Sequence, residues 1–351
     1  MSPVAEIKVR YEPLRDFCAQ VFAGLALPGD DAWLVADSLV EADLRGVHSH
    51  GVLMVPRYVA QVRRGQVNVH PDIKVVRETP GSLLVDGDNG LGQVVARRAM
   101  ALAIDKARQT GISAVGVAQS NHYAAGAYWA LMAVAENMIG LALTGAGAVI
   151  APWGGRTRLL GTNPWTIAVP AGREYAIVLD MATSVAAAGK LEWAAMRHER
   201  VPAGWALDAE DRTTTDPQRG LAGRLLPTGG YKGYGLMVMV DMLAGMLTGG
   251  AMGPEMSAAA RDARPFNIGH YFQAIEIAAF MPVDAFKARV DEYIRIIRQS
   301  ELEAGSSEVL LPGEREFRTA ENRRRDGIPM PVTMLTQLEK IARDVGIALA
   351  W

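Results

Sequence analysis

Apolar residues recur every three to four positions over Tyr11–Ala23 and Asp30–Arg45, which predicts two helices joined at Leu27-Pro28-Gly29. In the second, Trp33, Leu34, Ala36, Leu39, Val40, Ala42 and Leu44 keep the helical period. Val55–Arg64 resumes it and stops near Gly65. Beyond residue 70 the pattern shortens. Ile73–Arg77, Ser82–Val85, Val115–Ala118, Ile139–Thr144, Thr166–Val169, Ala176–Leu179 and Ile275–Ala279 have the compact apolar form of strands. Gln93–Gln109, Tyr123–Glu136, Tyr234–Leu247, Val283–Gln299 and Val332–Gly346 return to helical spacing, and Thr319–Gly327 reads as a charged, solvated helical turn. Helix at both ends and strands in the middle predict an α/β class, with a helical layer built from both termini.

Composition narrows the picture. Half of the 351 residues are hydrophobic and 21% are charged, enough to bury a core and unlike a disordered chain. The net charge of −2 supplies no basic stripe, so no nucleic-acid partner is expected. A lone cysteine, Cys18, excludes an intrachain disulfide framework and fits a reducing, cytoplasmic setting. No secretory h-region opens the chain. Leu131–Trp153 is broken by Glu136, Asn137 and glycines, and Leu236–Leu247 is too short to span a bilayer. No membrane partner is expected.

Several motifs carry chemistry. Gly87-Asp88-Asn89-Gly90-Leu91-Gly92 sits between a strand and a helix, but its spacing is not that of the dinucleotide fingerprint. It reads as a tight turn and helix start. Ala188-Gly189-Lys190-Leu191 lacks the spacing and hydroxyl of a phosphate loop. His48 and His50 would face one side if they lay in a strand, yet no third ligand follows at a metal-binding spacing, so no metal is expected. His50 is a loop histidine between Ser49 and Gly51, and His122 follows a short strand and precedes small residues; each is a candidate acid/base beside the plainer reading of a hydrogen-bonded structural histidine. Asp180, at a strand end before Met181-Ala182-Thr183, is suited to orient a histidine.

In order along the chain, ADLRGVHSHGV (42–52), VDGDNGLGQ (85–93), SNHYAAGAY (120–128), APWGG (151–155), LLGTNPWTIAVP (159–170), LDMATSVAAAGK (179–190), VPAGWALDAE (201–210), GGYKGYGL (229–236) and NIGHYF (267–272), closing with Leu311-Pro312-Gly313-Glu314, make a specific set. The chain resembles the malate/L-lactate dehydrogenase type 2 oxidoreductases, a family with sulfolactate, ureidoglycolate and diketogulonate enzymes and cyclic imino acid reductases. The resemblance implies hydride transfer with NADH or NADPH on a small-molecule substrate, a fold other than the Rossmann fold with a largely antiparallel sheet, and a homodimer. The domains it implies are residues 1–75 with 295–351, helical, and 76–294, which bind cofactor and substrate. It assigns acid/base chemistry to His50 or His122, with Asp180 and Ser49 beside them, and substrate contacts to Tyr58 and to residues near 54–57. Asp180-Met181-Ala182-Thr183, Lys232 and Gly313-Glu314 match cofactor-contact segments.

The chain also departs from that family. Met54 stands where an arginine is usual, five residues after Ser49, while Arg57 has a common counterpart. Gly145-Ala146 and Tyr231 depart as well. An apolar Met54 implies a weakened clamp on a small 2-oxo acid unless Arg57 compensates. The rival reading is a non-catalytic or specialised nucleotide-binding homologue with an altered pocket.

Overall fold

The computed structural model describes residues 5–347. The chain enters through strand β1 (Glu6–Val9) and helices α1 (Tyr11–Ala23) and α2 (Gly29–Leu44). Two 3₁₀ turns, His48–His50 and Val52–Met54, lead into α3 (Val55–Arg63). There follow β2 (Lys74–Glu78), β3 (Ser82–Asp86), α4 (Gly92–Thr110), β4 (Ile112–Ser120), α5 (Gly126–Ala135), β5 (Met138–Thr144), β6 (Trp165–Val169) and β7 (Ile177–Met181). Helix α6 (Ala188–Met196) precedes a small sheet of β8 (Ala206–Leu207), β9 (Thr213–Thr214) and β10 (Arg224–Leu225), with α7 (Pro217–Ala222) between the last two strands. Helix α8 (Tyr231–Val240) widens into a π-helical turn at Asp241–Met246. The rest is α9 (Gly253–Arg261), β11 (Ile268–Glu276), α10 (Val283–Arg298), α11 (Glu314–Asp326), β12 (Ile328–Pro331) and α12 (Val332–Val345).

Among the described residues the main sheet has seven strands in the order β2-β3-β4-β11-β5-β6-β7. Only β3 and β4 run parallel; every other neighbouring pair is antiparallel. The α/β class and the mostly antiparallel sheet agree with the sequence reading. The sheet is buried on both sides at its centre. Phe272 and Ala274 of β11 pack with Val95, Ala99 and Trp129 of α4 and α5 on one face, while Tyr271 meets Leu143, Val240 and Ala244 on the other. A separate apolar cluster joins α1, α2 and α3 to α11, β12 and α12, through Phe17, Phe22, Leu39, Tyr58, Ala320, Met334 and Leu338.

Three expectations need correction. The last strand is not Ile275–Ala279: pairing runs over Ile268–Glu276, and Ile277–Ala279 is a 3₁₀ turn. The charged turn expected at Thr319–Gly327 is the second half of a full helix, α11, which turns Ala320 inward. The helix expected from Tyr123 begins only at Gly126, because Ala124 takes a positive φ of 64°. Gly87–Leu91 is a tight turn, with Asp88 and Asn89 both left-handed. The first residue of α4, Gly92, then abuts Asn121: a Cβ there would lie 2.1 Å from the Asn121 carbonyl oxygen. That helix N-terminus is closed by protein, which explains why it offers no phosphate cradle.

Candidate active site

The His-Ser-His-Gly segment follows α2 and folds as a 3₁₀ turn, not a strand. At three residues per turn, positions two apart point in different directions. His48 turns inward. Its Nδ1–H donates to Asp43 Oδ1 at 2.6 Å, Arg323 of α11 donates to its Nε2 at 2.9 Å, and Trp193 stacks on the ring at 4.3 Å. The fully buried Asp43 also accepts from the Val52 N–H at 2.7 Å. A Cβ at residue 51 would sit 2.3 Å from that carboxylate, so only glycine fits. His48 thus locks α2 to α11, and His50 is left to face the cavity.

That cavity, about 950 Å³, lies between the ends of α2, α5, β7, α6 and α11. Ser49, His50, Asp180, Met181, Ala182 and Gly313 line it. Ser49 Oγ is 2.8 Å from His50 Nδ1. His122 stacks against His50 with ring centroids 5.6 Å apart, and its Nδ1 is 2.6 Å from the Tyr58 hydroxyl. The two candidate histidines, 72 positions apart in sequence, therefore form one pair.

Electrostatics separate them. Burial pushes His50 below its ordinary pKa, Arg57 and Lys190 add to the fall, and the charge of Asp180 opposes it. His122 is pushed well below its ordinary value by burial, then by Arg57, His50 and His270, with no opposing carboxylate. Only His50 has a carboxylate charge that favours its protonated form. Asp180 does not hydrogen-bond either ring. Its oxygens accept from the Ala127 N–H at 2.8 Å and Thr166 Oγ1 at 2.7 Å, which caps the start of α5. It acts on His50 through charge alone.

The remaining expected residues divide. Met54 is buried in the helical core cluster and does not line the cavity. Arg57 is exposed, makes no hydrogen bond or ion pair among the described residues, and its charge reaches His50, His122 and Tyr58. Thr183 is fully buried, donating to the Thr162 and Asn163 carbonyls at 2.9 and 3.1 Å. Glu314 turns away from the cavity to pair with Arg298 and Arg318. Lys232 is exposed and lies outside the lining. Arg45, Lys190 and Arg315 line the cavity and were not singled out in the sequence. Lys190 lies within a stretch whose phosphate-loop reading fails; its place in the first turn of α6 becomes visible only once that helix is seen.

The lining suits a nicotinamide dinucleotide. The volume is within the range of about 300–1,000 Å³ usual for cofactor pockets. Ala124, Ala125, Gly126, Ala186 and Ala187 supply flat, small walls, and three cations stand ready for phosphates. Gly313, at φ 86°, lies so close to β7 that a Cβ would be 2.8 Å from Val178 Cβ. Among the described residues no trio of His, Cys, Asp or Glu gathers as a metal site, and no helix is long and apolar enough to cross a membrane.

Residues 9–339 match the family model for malate/L-lactate dehydrogenase. The chain is 42% identical to a malate dehydrogenase of Pyrococcus abyssi, covering 97% of this chain and 96% of that protein. It is 40% identical to an L-sulfolactate dehydrogenase of Methanothermobacter thermautotrophicus, covering 99% and 98%. Among solved structures, malate dehydrogenase from Pyrococcus horikoshii superposes with a TM-score of 0.90 at 40% identity, covering 100% of this chain and 99% of that one. The delta1-piperideine-2-carboxylate reductase of Pseudomonas syringae superposes at 0.84 and 28% identity, covering 96% and 100%. With a model matched almost end to end and relatives this similar, the chain belongs to the malate/L-lactate dehydrogenase family and is an oxidoreductase.

Proposed function

We propose that the enzyme transfers hydride between NADH or NADPH and a small carboxylate-bearing substrate, at a keto or cyclic imino carbon. The observation that carries this reading is the histidine pair: His50, which lines the cavity, stacks on His122, and the charge of the unpaired Arg57 guanidinium acts on both. Bound cofactor supplies the hydride. His50 supplies the proton to the substrate oxygen or nitrogen in reduction and removes it in oxidation, a role worth typically 10²- to 10⁴-fold. Arg57 holds the carboxylate, since charge-assisted bonds contribute about 1.5–3 kcal/mol. Arg45, Lys190 and Arg315 hold the cofactor phosphates. Met54, packed in the core, contributes shape and no charge.

Malate and sulfolactate in the relatives' names support an acidic 2-hydroxy or 2-oxo acid, and the reductase similarity supports the imino alternative. The non-catalytic alternative loses its footing because the histidine pair and free arginine are intact. Residues 1–75 with 295–351 are read as one domain and 76–294 as another, supported by the apolar cluster that joins α1–α3 to α11 and α12. The absence of a dinucleotide fingerprint supports a cofactor fold other than the Rossmann fold. A homodimer in the cytoplasm completes the reading.

The test follows NADH and NADPH absorbance with pyruvate, oxaloacetate and a cyclic imino acid. His50→Gln is expected to lower kcat at least 100-fold with cofactor affinity unchanged. Arg57→Ala is expected to raise KM by roughly one to two decades. Full turnover by His50→Gln would rule this assignment out.

A further inference from the structure

Arg45 caps the C-terminal end of α2 and is only 7% exposed, yet its guanidinium makes no hydrogen bond or ion pair with a described residue. It stands over the Phe317 ring of α11, 4.3 Å from the ring centroid, and Phe317 stacks in turn on Tyr175 at 5.2 Å. Buried charges are normally paired. Arg45 lines the cavity, so an anion bound there can take the donors that the protein leaves free. Lys190, also in the lining, is unpaired too. It lies toward the histidines: a Cβ on neighbouring Gly189 would be 2.7 Å from the Ser49 carbonyl oxygen. Carboxylates flank Arg45. Glu41 lies one helical turn earlier on the same face of α2, and only its Oε2 is bonded, by Arg324 at 2.6 Å. Glu316 adjoins Phe317, and only its Oε1 is bonded, by Arg315 at 3.2 Å. Both line the cavity, and each keeps one oxygen free to accept. Burial pushes the Arg45 pKa down, and the charges of Glu41, Glu316 and Asp180 oppose the fall.

We propose that this cavity selects NADH over NADPH: Arg45 and Lys190 take the diphosphate common to both, while Glu41 and Glu316 accept the adenosine ribose hydroxyls and repel a phosphate placed there. This rests on the nicotinamide dinucleotide reading above and adds the choice of cofactor to it. The cavity balances Arg45, Lys190 and Arg315 against Glu41, Asp180 and Glu316, so its lining carries no net charge. A 2′-phosphate would bring a further charge of about −1.5 to −2. Once the diphosphate is held, no lining cation is left without a carboxylate beside it. A hydroxyl donates to a free carboxylate oxygen, whereas a phosphate in its place meets like charge.

Fluorescence titration of the full-length protein with NADH and with NADPH, at one fixed ionic strength, tests it without any substrate. The wild type is expected to bind NADH at least about 30-fold tighter than NADPH. Glu41→Gln keeps the shape and removes the charge. It is expected to tighten NADPH about tenfold while NADH changes less than about threefold. Arg45→Met is expected to weaken both cofactors alike, by about one to two decades, because both carry the diphosphate. Arg45→Lys, which keeps the charge and loses the planar fork, should fall between wild type and Arg45→Met. A wild type that binds NADPH as tightly as NADH, a Glu41→Gln variant with unchanged NADPH affinity, or an Arg45→Met variant that loses NADPH alone overturns the proposal and leaves the oxidoreductase reading standing. Binding of neither cofactor overturns both.

Discussion

Asp180 is where one side chain serves both structure and chemistry. It is committed to the Ala127 N–H and to Thr166, where helix α5 begins, so its position is set by the fold. From there its negative charge offsets part of the burial that depresses His50. Removing the charge leaves burial, Arg57 and Lys190 unopposed, so the His50 pKa falls further below its ordinary 6.5. Reduction needs protonated His50, and its kcat/KM falls as pH rises through that pKa. Oxidation needs the neutral ring and rises through the same point. In Asp180→Asn both limbs should move to lower pH. Profiles of kcat/KM against pH in the two directions check it, and limbs that stay in place would mean the carboxylate has no electrostatic hold on His50.

At the scale of elements, the site depends on how closely α4 approaches the turn that carries His122. A Cβ on Gly92 would lie 2.1 Å from the Asn121 carbonyl oxygen and 2.5 Å from that of His122, both backbone atoms that cannot swing aside. Gly92→Ala is therefore expected to destabilise the protein by about 1–3 kcal/mol and to lower kcat by displacing His122. Gly29→Ala, at the start of α2 with nothing within 4 Å of its Cβ, should stay within about 0.5 kcal/mol of wild type. Urea midpoints of the two variants decide the matter. Elements with a clear period were legible in the sequence: α1, α2, α4 and α10 lie within a residue or so of their expected bounds. Strand β11 was not, because it places His270 in the middle of the sheet. That ring is satisfied by Thr144 at 2.8 Å and Ser120 at 2.9 Å from the two neighbouring strands. Such partners exist only after the sheet forms. The β1–β12 pair was hidden by Pro329 and Pro331, which a two-stranded edge tolerates. The candidate histidines were visible as polar breaks beside small residues. Arg45, Lys190 and the inward turns of Thr183 and Glu314 were not, since which side of a segment meets a cavity is set by packing between distant elements.

At the scale of the whole molecule, one surface remains unexplained by a single chain. Helix α8 and its π-helical extension turn Val240 and Ala244 onto the main sheet and Met237 into the cluster of Ile150, Leu191 and Leu225, and all three are fully buried. The opposite side carries Leu236, Met239, Met242, Met246 and Leu247, with Met239 50% and Leu247 66% exposed. A helix apolar on both sides is normally covered on both. The unbranched methionines can adapt to a matching surface. A second copy of the same chain is the partner that a two-fold axis allows, since the same face then meets itself. A stable interface of this kind buries about 1,200–2,000 Å², and placing acids at its centre would leave charges desolvated and unpaired. The wild type is expected to show twice the chain mass by light scattering across a wide range of concentration, and Met242→Glu combined with Met246→Glu to show the single-chain mass. The doubly substituted protein should keep its near-ultraviolet circular dichroism, because both side chains lie outside the core. A wild type that scatters as one chain at every concentration, or a double variant that still scatters as two, would place the contact elsewhere or remove it.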